Sequence, residues 1–345
     1  MRLFSLLFLL CLLTLSVPAY AGYTSDTCPK TKDQNRVRAD LVFDLSTGKV
    51  LIEKNAGAVF HPASLTKLMS LALVFDDLRA KKINYTQNVS LVRRPGQVDN
   101  RTARISKMSV REAINGVATA SLNNALDGLA RLTGPESTFV ARMNEKARLW
   151  GMTRTLFANT TGWPTPESLQ LQRTTLKDYA RLVGALWTLY PKEMKEFSGK
   201  PEIAIAGLPK PLQSTNHLLE TAKGRMALPY SGVIGGKTGY ICYSGWHLIT
   251  VYQDKSLGGR RMVAMTVGHA TGRARDLHMK ELLDQARPKL ASFDREEKRR
   301  IAREKIEAAK AEKLRIAAEE KARREAAKAA QKLASQNAGV PGQAR

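Results

Sequence analysis

The sequence predicts an α+β domain whose sheet is built from the two ends of the domain, with a helical region inserted between them. Strand-like segments with apolar alternation occur at residues 37–54. Apolar and β-branched runs return near 231–252 and 261–268, and a closing helix is expected around 273–286. The residues between these ends have the composition and spacing of helices.

The first strand-like segment has the pattern of a β-hairpin. Apolar alternation over residues 37–54 flanks a glycine-containing turn at 46–48. Pro62 then favours the first turn of a helix, and residues 64–78, rich in Leu, Met and Ala, continue it. Further helices are expected within residues 110–186.

The C-terminal segment differs in composition from the rest of the chain. From Asp294 onward it consists mainly of Ala, Lys, Arg and Glu, and pairs such as Glu296 with Arg300 have the i,i+4 spacing that supports an exposed helix. The apolar residues keep no heptad, which favours a solvated spacer over a coiled coil. We expect a charged helix over 291–338 and a disordered tail over 339–345.

The N-terminus has the layout of a secretory signal peptide. Arg2 precedes an apolar run, and an Ala-x-Ala pattern ends the predicted signal at residues 1–21. The run is shorter than the roughly 20 residues of a membrane span. We therefore expect an exported protein of the periplasm or cell envelope, with an N-terminal segment at 22–36 and a catalytic domain at 37–290.

The chain is strongly basic, with a formal net charge of +24. Residues 291–345 hold 15 basic and 9 acidic residues, so most of the excess belongs to the folded part. This balance predicts a weak association with an anionic membrane or an anionic wall polymer. Nucleic acid is not expected as a partner of an exported chain.

Two cysteines remain after the predicted signal cleavage, Cys28 and Cys242. In an oxidising compartment they could form a disulfide. Two separate thiols, with Cys242 packed as a small apolar residue, fit the sequence equally well because it gives no distance between them.

The first catalytic motif is Ser64-Leu65-Thr66-Lys67. A hydroxyl and an amine three residues apart on a helix share a face, so the lysine can take the serine proton if its pKa is lowered. Ser46-Thr47-Gly48-Lys49 has the same spacing but lies at the predicted hairpin turn. Ser64 is therefore the candidate nucleophile.

Two further motifs complete the candidate site. Ser121-Leu122-Asn123 offers a second hydroxyl for proton relay and an amide for the lysine and the substrate backbone. Lys237-Thr238-Gly239 precedes a strand-like run, and such an edge can pair with an extended peptide. A similar Ser-x-Asn at Ser214 is interpreted as a cap of a separate helix.

Together, these motifs resemble those of the D-alanyl-D-alanine carboxypeptidases of peptidase family S11, which are low-molecular-weight penicillin-binding proteins. Residues 61–69, His-Pro-Ala-Ser-Leu-Thr-Lys-Leu-Met, are similar to the family signature Pro-Ala-Ser-Leu-Thr-Lys-x-Met. The resemblance covers residues 37–290. Leu122, Asn124 and His61 depart from the family pattern, and for His61 a plain surface role is expected.

The resemblance implies a β-lactamase/transpeptidase-like fold and an acyl-enzyme formed at Ser64, without a cofactor or metal. It implies Lys67 as the base and Lys237 as the contact for the substrate carboxylate, with Thr238 and Gly239 beside it. An oxyanion hole would come from the backbone N–H groups of Ser64 and Tyr240. The implied reaction removes the terminal D-alanine from peptidoglycan peptides, and β-lactams would acylate the enzyme as inhibitors.

Other activities are less favoured. The closest rival is a D,D-endopeptidase of the same family. A β-lactamase would need the Glu-x-x-Leu-Asn motif of class A enzymes, which the sequence lacks. The five histidines show no metallopeptidase spacing. An inactive penicillin-binding scaffold remains an alternative from a different functional class.

Overall fold

The computed structural model describes residues 36–94, 97 and 99–337. The predicted signal peptide, Cys28 and the tail at 339–345 lie outside the described residues. Five strands form one antiparallel sheet in the order β2-β1-β9-β8-β7. They are β1 (Ala39–Asp44), β2 (Val50–Lys54), β7 (Val233–Ile241), β8 (Gly245–Asp254) and β9 (Arg260–His269).

Two short antiparallel strand pairs lie outside the main sheet. They are β3 (Asn88–Ser90) with β4 (Lys107–Ser109), and β5 (Glu202–Ile203) with β6 (Leu212–Gln213). Eight α-helices occur in the described residues: α1 (Lys67–Arg79), α2 (Val110–Ala120), α3 (Asn123–Arg131), α4 (Glu136–Leu149), α5 (Pro166–Leu171), α6 (Leu176–Leu189), α7 (Pro191–Phe197) and α8 (Gly272–Asn337).

The expected α+β arrangement is confirmed. β1 and β2 come from the start of the domain and pair through β9 with the strands from its end, while α1 to α7 fill the sequence between. β1 is buried along its whole length because it lies inside the sheet, whereas β2 at the edge is largely exposed. The buried pair of β1 and β9 therefore joins the strands from the start of the domain to those from its end.

The Ser46 hydroxyl belongs to the predicted hairpin turn. Asp44 Oδ1 accepts hydrogen bonds from the Ser46 hydroxyl at 2.6 Å and from the Thr47 hydroxyl at 2.7 Å. Gly48 adopts the left-handed conformation that the turn requires, with φ of 75°. The hydroxyl of Ser46 thus serves the turn.

Helix α1 is the central helix of the domain. Ten of its 13 residues are buried, including polar Lys67 and Ser70. It packs against α3, α4 and α6, and Phe75 stacks on Phe197 with ring centroids 6.1 Å apart. Because the helix is buried on nearly all sides, its Lys67 side chain is shielded from water.

The last helix, α8, continues from Gly272 to Asn337 through Pro288. The sequence predicted two helices, around 273–286 and over 291–338, whereas the structure has one. The chain divides into two compact units between Leu283 and Asp284, inside this helix. Every side chain from 298 to 333 is exposed. Among the described residues, no helix combines the length and apolarity of a membrane span.

Candidate active site

Ser64 and Lys67 lie at the junction of a short 3-10 turn (Ala63–Thr66) and helix α1. Lys67 Nζ is 2.6 Å from Ser64 Oγ and donates a hydrogen bond to the Thr161 carbonyl at 2.9 Å. An uncharged amine with one N–H on that carbonyl keeps a lone pair for the serine proton. The spacing of the first motif therefore brings the two side chains together as the sequence predicted.

Burial sets the protonation of Lys67. The side chain is 0% exposed, and burial lowers its pKa to about 7, with a raising contribution from Asp127 and a lowering one from Arg101. A large fraction of Lys67 is thus neutral near pH 7. A neutral lysine within hydrogen-bond distance of a serine hydroxyl meets the requirements of a general base.

The loop at residues 159–162 packs against the turn that carries Ser64 and holds it in place. Ala63 has a positive φ of 49°, an uncommon conformation for a residue with a side chain. Gly162 packs against it so closely that a Cβ there would lie 1.8 Å from the Ala63 carbonyl oxygen. The Asn159 carboxamide accepts the Gly162 N–H at 2.7 Å, which fixes the loop that presents Thr161 to Lys67.

His61 also stabilises the turn, in contrast to its expected surface role. Its Nδ1 accepts the Ala63 N–H at 3.1 Å, and burial lowers the pKa of His61 to about 4. A neutral ring is required because Nδ1 acts as an acceptor. The histidine that departs from the family signature therefore stabilises the turn that carries Ser64.

The second motif is split between two environments. Ser121 ends α2 in the left-handed conformation, with φ of 61°, and its hydroxyl accepts a hydrogen bond from Lys237 Nζ at 2.7 Å. Leu122 is fully buried. A Cβ on Gly116 would lie 2.6 Å from Leu122 Cδ1, so this glycine makes room for the large side chain. The departure at Leu122 is thus accommodated in the core, away from the catalytic groups.

Asn123 begins α3, but its side chain does not bind Lys67, whose partners are Ser64 and Thr161. Its Oδ1 is buried and has no hydrogen-bond partner in the part of the chain that the structure describes. An unpaired buried carbonyl is costly, so this oxygen is a ready acceptor for a ligand N–H. Asn124, the other departure, binds the Thr102 hydroxyl through Nδ2 at 2.8 Å.

The third motif lies on β7. Lys237 is 1% exposed and donates to Ser121 Oγ and to the Thr238 carbonyl. Burial is the largest cause of its strongly lowered pKa, followed by the charges of Lys67, Arg275 and Arg101. Lys237 thus lies beneath the cleft surface, whereas the resemblance implied a direct contact with the substrate carboxylate.

Gly239 allows β7 to approach the serine turn. A Cβ at this position would meet the Pro62 carbonyl oxygen at 3.1 Å and Leu65 at 3.2 Å. The neighbour of Gly239 on this side is the turn that carries Ser64. Gly239 therefore keeps the Ser64 turn beside the strand edge.

His247 lies on the neighbouring strand β8, where it is paired with Gly239. Its Nδ1 accepts the Gly268 N–H at 3.1 Å, which assigns the ring proton to Nε2. Nε2 lies 2.9 Å from Ser244 Oγ and 3.2 Å from the His61 carbonyl oxygen. Burial lowers the pKa of His247 to about 3, so this link between β8 and the serine turn is uncharged.

The three motifs meet at a cleft of about 400 Å³. Its walls include the predicted residues Ser64, Ser121, Thr238, Gly239 and Tyr240. Additional lining residues come from segments that the motif analysis did not assign to the site: Arg101, Ala120, Ser214, Thr215, His217, Trp246 and Arg275.

Two arginines, Arg275 and Arg101, line the cleft, and each is paired with a carboxylate. Arg275 donates to Asp276 Oδ1 through Nε at 2.8 Å and Nη2 at 2.6 Å, and Asp276 Oδ2 lies 2.8 Å from His217 Nδ1. Arg101 is held by Asp99 and donates to the Ala120 carbonyl. The single carboxylate paired with Arg275 leaves Nη1 without a partner among the described residues, so the cleft favours an anionic ligand.

Ser214 was interpreted as a helix cap, but it lines the cleft. Its hydroxyl accepts the Asn216 N–H at 3.1 Å in a local turn, and no helix follows it before β7 in the described chain. Its neighbour Thr215 accepts a hydrogen bond from the Thr238 hydroxyl at 2.6 Å. The hydroxyl groups of this segment therefore form one wall beside the third motif.

Comparison with known proteins agrees with this geometry. Residues 27–271 match the family of D-alanyl-D-alanine carboxypeptidases, peptidase family S11. The chain belongs to this family. The serine turn, Lys67 and the strand edge at Lys237 thus lie in a region that S11 peptidases share.

Curated relatives include both carboxypeptidases and an endopeptidase. D-alanyl-D-alanine carboxypeptidase DacC of Escherichia coli is 30% identical over 71% of this chain and 60% of its own length. The corresponding values for DacF of Bacillus subtilis are 26%, 72% and 62%. The D-alanyl-D-alanine endopeptidase of Pseudomonas aeruginosa is 30% identical over 56% of this chain and 61% of its own. The chain thus spans less than two thirds of the length of these relatives.

Solved structures confirm the predicted penicillin-binding fold. Penicillin-binding protein D2 from Listeria monocytogenes in its ampicillin-bound form is 26% identical, with a TM-score of 0.63, over 72% of this chain and 96% of that one. The cefotaxime-bound form is 28% identical, with a TM-score of 0.64 and the same coverage. This S11 chain therefore has the β-lactamase/transpeptidase-like fold.

Cys242, at the end of β7, is disulfide-bonded. The sequence left this disulfide and a free thiol open as alternatives. Its predicted partner, Cys28, lies outside the described residues.

Proposed function

We propose that this S11 peptidase is a serine-type D-alanyl-D-alanine carboxypeptidase that removes the terminal D-alanine from peptidoglycan peptides through an acyl-enzyme. The observation that carries the proposal is the buried Lys67, whose pKa is about 7 and whose Nζ lies 2.6 Å from Ser64 Oγ. This pair lies at a cleft lined by Arg101 and Arg275, whose guanidinium groups suit a substrate with a free carboxylate.

The first half of the reaction forms the acyl-enzyme. Lys67 takes the Ser64 proton, and Ser64 Oγ attacks the carbonyl carbon of the penultimate D-alanine. The backbone N–H groups of Ser64 and Tyr240 stabilise the oxyanion, as the family resemblance implies. When the peptide C–N bond breaks, the proton reaches the departing amine through the Ser121 hydroxyl. Water then hydrolyses the ester and restores Ser64.

Substrate binding uses groups that line the cleft together with two buried groups next to it, Lys237 and Asn123. Arg275 is positioned to receive the terminal carboxylate, since it lines the cleft while Lys237 lies beneath it. The Thr238 hydroxyl, which donates to Thr215, must turn from that partner to donate to the carboxylate. Asn123 Oδ1 accepts an N–H of the substrate backbone, which satisfies its missing hydrogen bond. Lys237 contributes through its hydrogen bond to Ser121.

β-Lactams would react as inhibitors at the same serine. Opening the lactam ring breaks its C–N bond, but the leaving nitrogen stays tethered to the acyl group and hinders the arrival of water. The relative from Listeria was crystallised with ampicillin and with cefotaxime. No carboxylate lines the described cleft to activate a deacylating water, which disfavours a β-lactamase.

The endopeptidase alternative differs in the group that follows the scissile bond. An endopeptidase cuts cross-links, in which the carbonyl side is the same but the leaving amine belongs to a side chain of another peptide. The two cationic side chains of Arg101 and Arg275 at the cleft favour a small anionic leaving group instead.

The experiment uses purified protein with benzylpenicillin and with defined wall fragments. Mass mapping should locate one penicilloyl adduct in the peptide containing Ser64, and Ser46→Ala should leave labelling unchanged. Products should be shortened by one D-alanine. No adduct in folded protein would support an inactive scaffold, and preferential cutting of cross-linked fragments would move the proposal to an endopeptidase.

We further propose that the chain acts in the cell envelope and that its charged helix associates with the anionic wall polymer. On α8, nine basic residues fall within an arc of roughly 100° and form a basic stripe. Glu296 and Glu320 lie at its edges. The stripe consists of Arg295, Arg299, Arg303, Lys310, Lys313, Lys321, Arg324, Lys328 and Lys332, all exposed.

The exposed part of the helix has a basic surface for the anionic wall polymer but no continuous apolar face. Ile301, Ile306, Leu314, Ile316 and Leu333 point in different directions around it, so they form no surface that could enter a bilayer. Cosedimentation with purified wall sacculi should therefore be lost at high salt. Equal binding to anionic lipid vesicles would contradict the choice of the wall as partner.

A further inference from the structure

A group of potential metal ligands lies outside the residues of the cleft. Asp40, His269 and His278 each contribute one ligand atom, and these atoms all lie within 4.8 Å of one another. They come from β1, the end of β9 and the second turn of α8. Because these segments are far apart in sequence, the three residues do not form a metal-binding motif of the metallopeptidase type.

A threonine organises the cluster. The Thr266 hydroxyl donates to Asp40 Oδ1 at 2.6 Å, so its oxygen accepts from His269 Nε2 at 2.7 Å. This assignment places the His269 proton on Nε2 and leaves Nδ1 with a lone pair. His278 Nε2 lies 3.1 Å from Asp40 Oδ1. The arrangement resembles metal sites in which outer hydrogen bonds orient the ligands.

Two of the three members, Asp40 and His269, are buried, whereas His278 is partly exposed. Metal binds the neutral form of an imidazole and the ionised form of a carboxylate. The hydrogen bond from His269 Nε2 to Thr266 keeps Nδ1 of this ring available as the ligand atom.

We propose that Asp40, His269 and His278 form a binding site for a divalent transition-metal ion, with Zn²⁺ as the preferred ion. Two imidazoles and one carboxylate suit Zn²⁺, which binds them at about 2.0–2.2 Å. The ligand atoms must close by roughly 1 Å to reach these distances. The His278 side chain is 30% exposed and can make this movement. A fourth position remains for water.

The site would clamp the helix that carries a cleft residue. His278 lies three residues after Arg275 on α8, while Asp40 and His269 lie on the sheet. A metal ion joining all three would restrain the first turns of α8, and with them the Arg275–Asp276 pair. This link to the cleft rests on the proposed function, whereas the metal site itself does not. Arg38 adds a nearby positive charge, which weakens the binding of a cation at this site.

The test is a calorimetric titration of the tag-free, full-length protein with Zn²⁺ after removal of metals by a chelator. Wild type should bind one Zn²⁺ per chain and melt at a higher temperature when Zn²⁺ is present. His278→Gln should weaken binding by about 100-fold or more and abolish the thermal shift. The matched control Glu281→Gln removes a carboxylate that lies 3.8 Å from His278 Nδ1 and should bind like the wild type.

Two results would overturn the proposal: no saturable Zn²⁺ binding by wild type, or unchanged binding by His278→Gln. Circular dichroism checks that each variant is folded. Asp40→Asn provides the same test if His278→Gln does not fold. Penicillin labelling, measured separately, can fail without changing the titration, so failure of the proposed function and failure of the metal site remain distinguishable.

Discussion

The cleft and the charged end of α8 use the same cationic residue types under opposite conditions. Lys67, Lys237 and Arg275 are almost completely buried, and burial is the largest cause of the lowered pKa of each. The lysines and arginines from 298 to 333 are exposed, and several form ion pairs with glutamates three or four residues away.

The difference shows that the chemical role of a cation depends on its solvation. In the cleft, cations repel one another and lack water, so a lysine gives up its proton more easily and an arginine attracts an anion more strongly. On the exposed helix, water and salt weaken each charge, and an individual ion pair contributes roughly 0–1 kcal/mol. We therefore expect single substitutions to have large effects in the cleft and small effects on the helix.

Replacing the buried base should give the largest effect. Lys67→Ala should slow acylation by benzylpenicillin by about 10²–10⁴-fold, because it removes the group that takes the Ser64 proton. Stopped-flow labelling measures the rate, and thermal melting checks the fold. The matched control is Lys49→Ala, the lysine of the second Ser-x-x-Lys sequence, which should react normally. Unchanged acylation in folded Lys67→Ala would show that another group is the base.

Acidification should reproduce part of this loss without a mutation. The pKa of Lys67 is about 7, and the base must be neutral to act, so the rate should fall as pH drops below 7. Between pH 7 and pH 5 the neutral fraction declines roughly 50-fold. Acylation rates measured across this range in folded protein should follow the same curve. A flat profile would mean that Lys67 is not the titrating base.

A substitution of Lys237 tests whether this buried side chain acts on the substrate carboxylate directly or through Ser121. Lys237→Gln should lower kcat/KM by about tenfold for peptides with either a free or an amidated C-terminus, since its hydrogen bond goes to Ser121. Arg275→Gln should instead affect mainly the free-carboxylate peptide, with Thr238→Val as a second variant. A loss by Lys237→Gln confined to free carboxylates would favour the direct contact that the family resemblance implied.

The sequence predicted the parts of the site that depend on local geometry. Ser64 and Lys67 are three residues apart on one helical turn, and Gly48 marks a turn in any context, so both interpretations needed only neighbouring residues. The ends of the domain were predicted to share a sheet because strand patterns occur at both. The β1–β9 pairing confirms this expectation.

Features formed by distant segments were not predictable in the same way. Arg101, His217 and Trp246 reach the cleft through tertiary packing, and no local pattern marks them. Arg275, on helix α8, also reaches the cleft without a motif that marks it. The lowered pKa of Lys67 likewise depends on complete burial, which a motif cannot report.

Removing the exposed end of the helix should have the smallest effect on chemistry. Deleting residues 298–345 removes side chains that are exposed at every position from 298 to 333, so acylation and hydrolysis of small soluble peptides should remain within about twofold of wild type. Binding to insoluble sacculi should fall, because the basic stripe loses all but Arg295. As the control, substituting Glu297, Glu304, Glu312 and Glu319 with Gln keeps the stripe and should retain binding. A truncated protein that is folded but no longer reacts with benzylpenicillin would show that exposed cations contribute to the cleft after all.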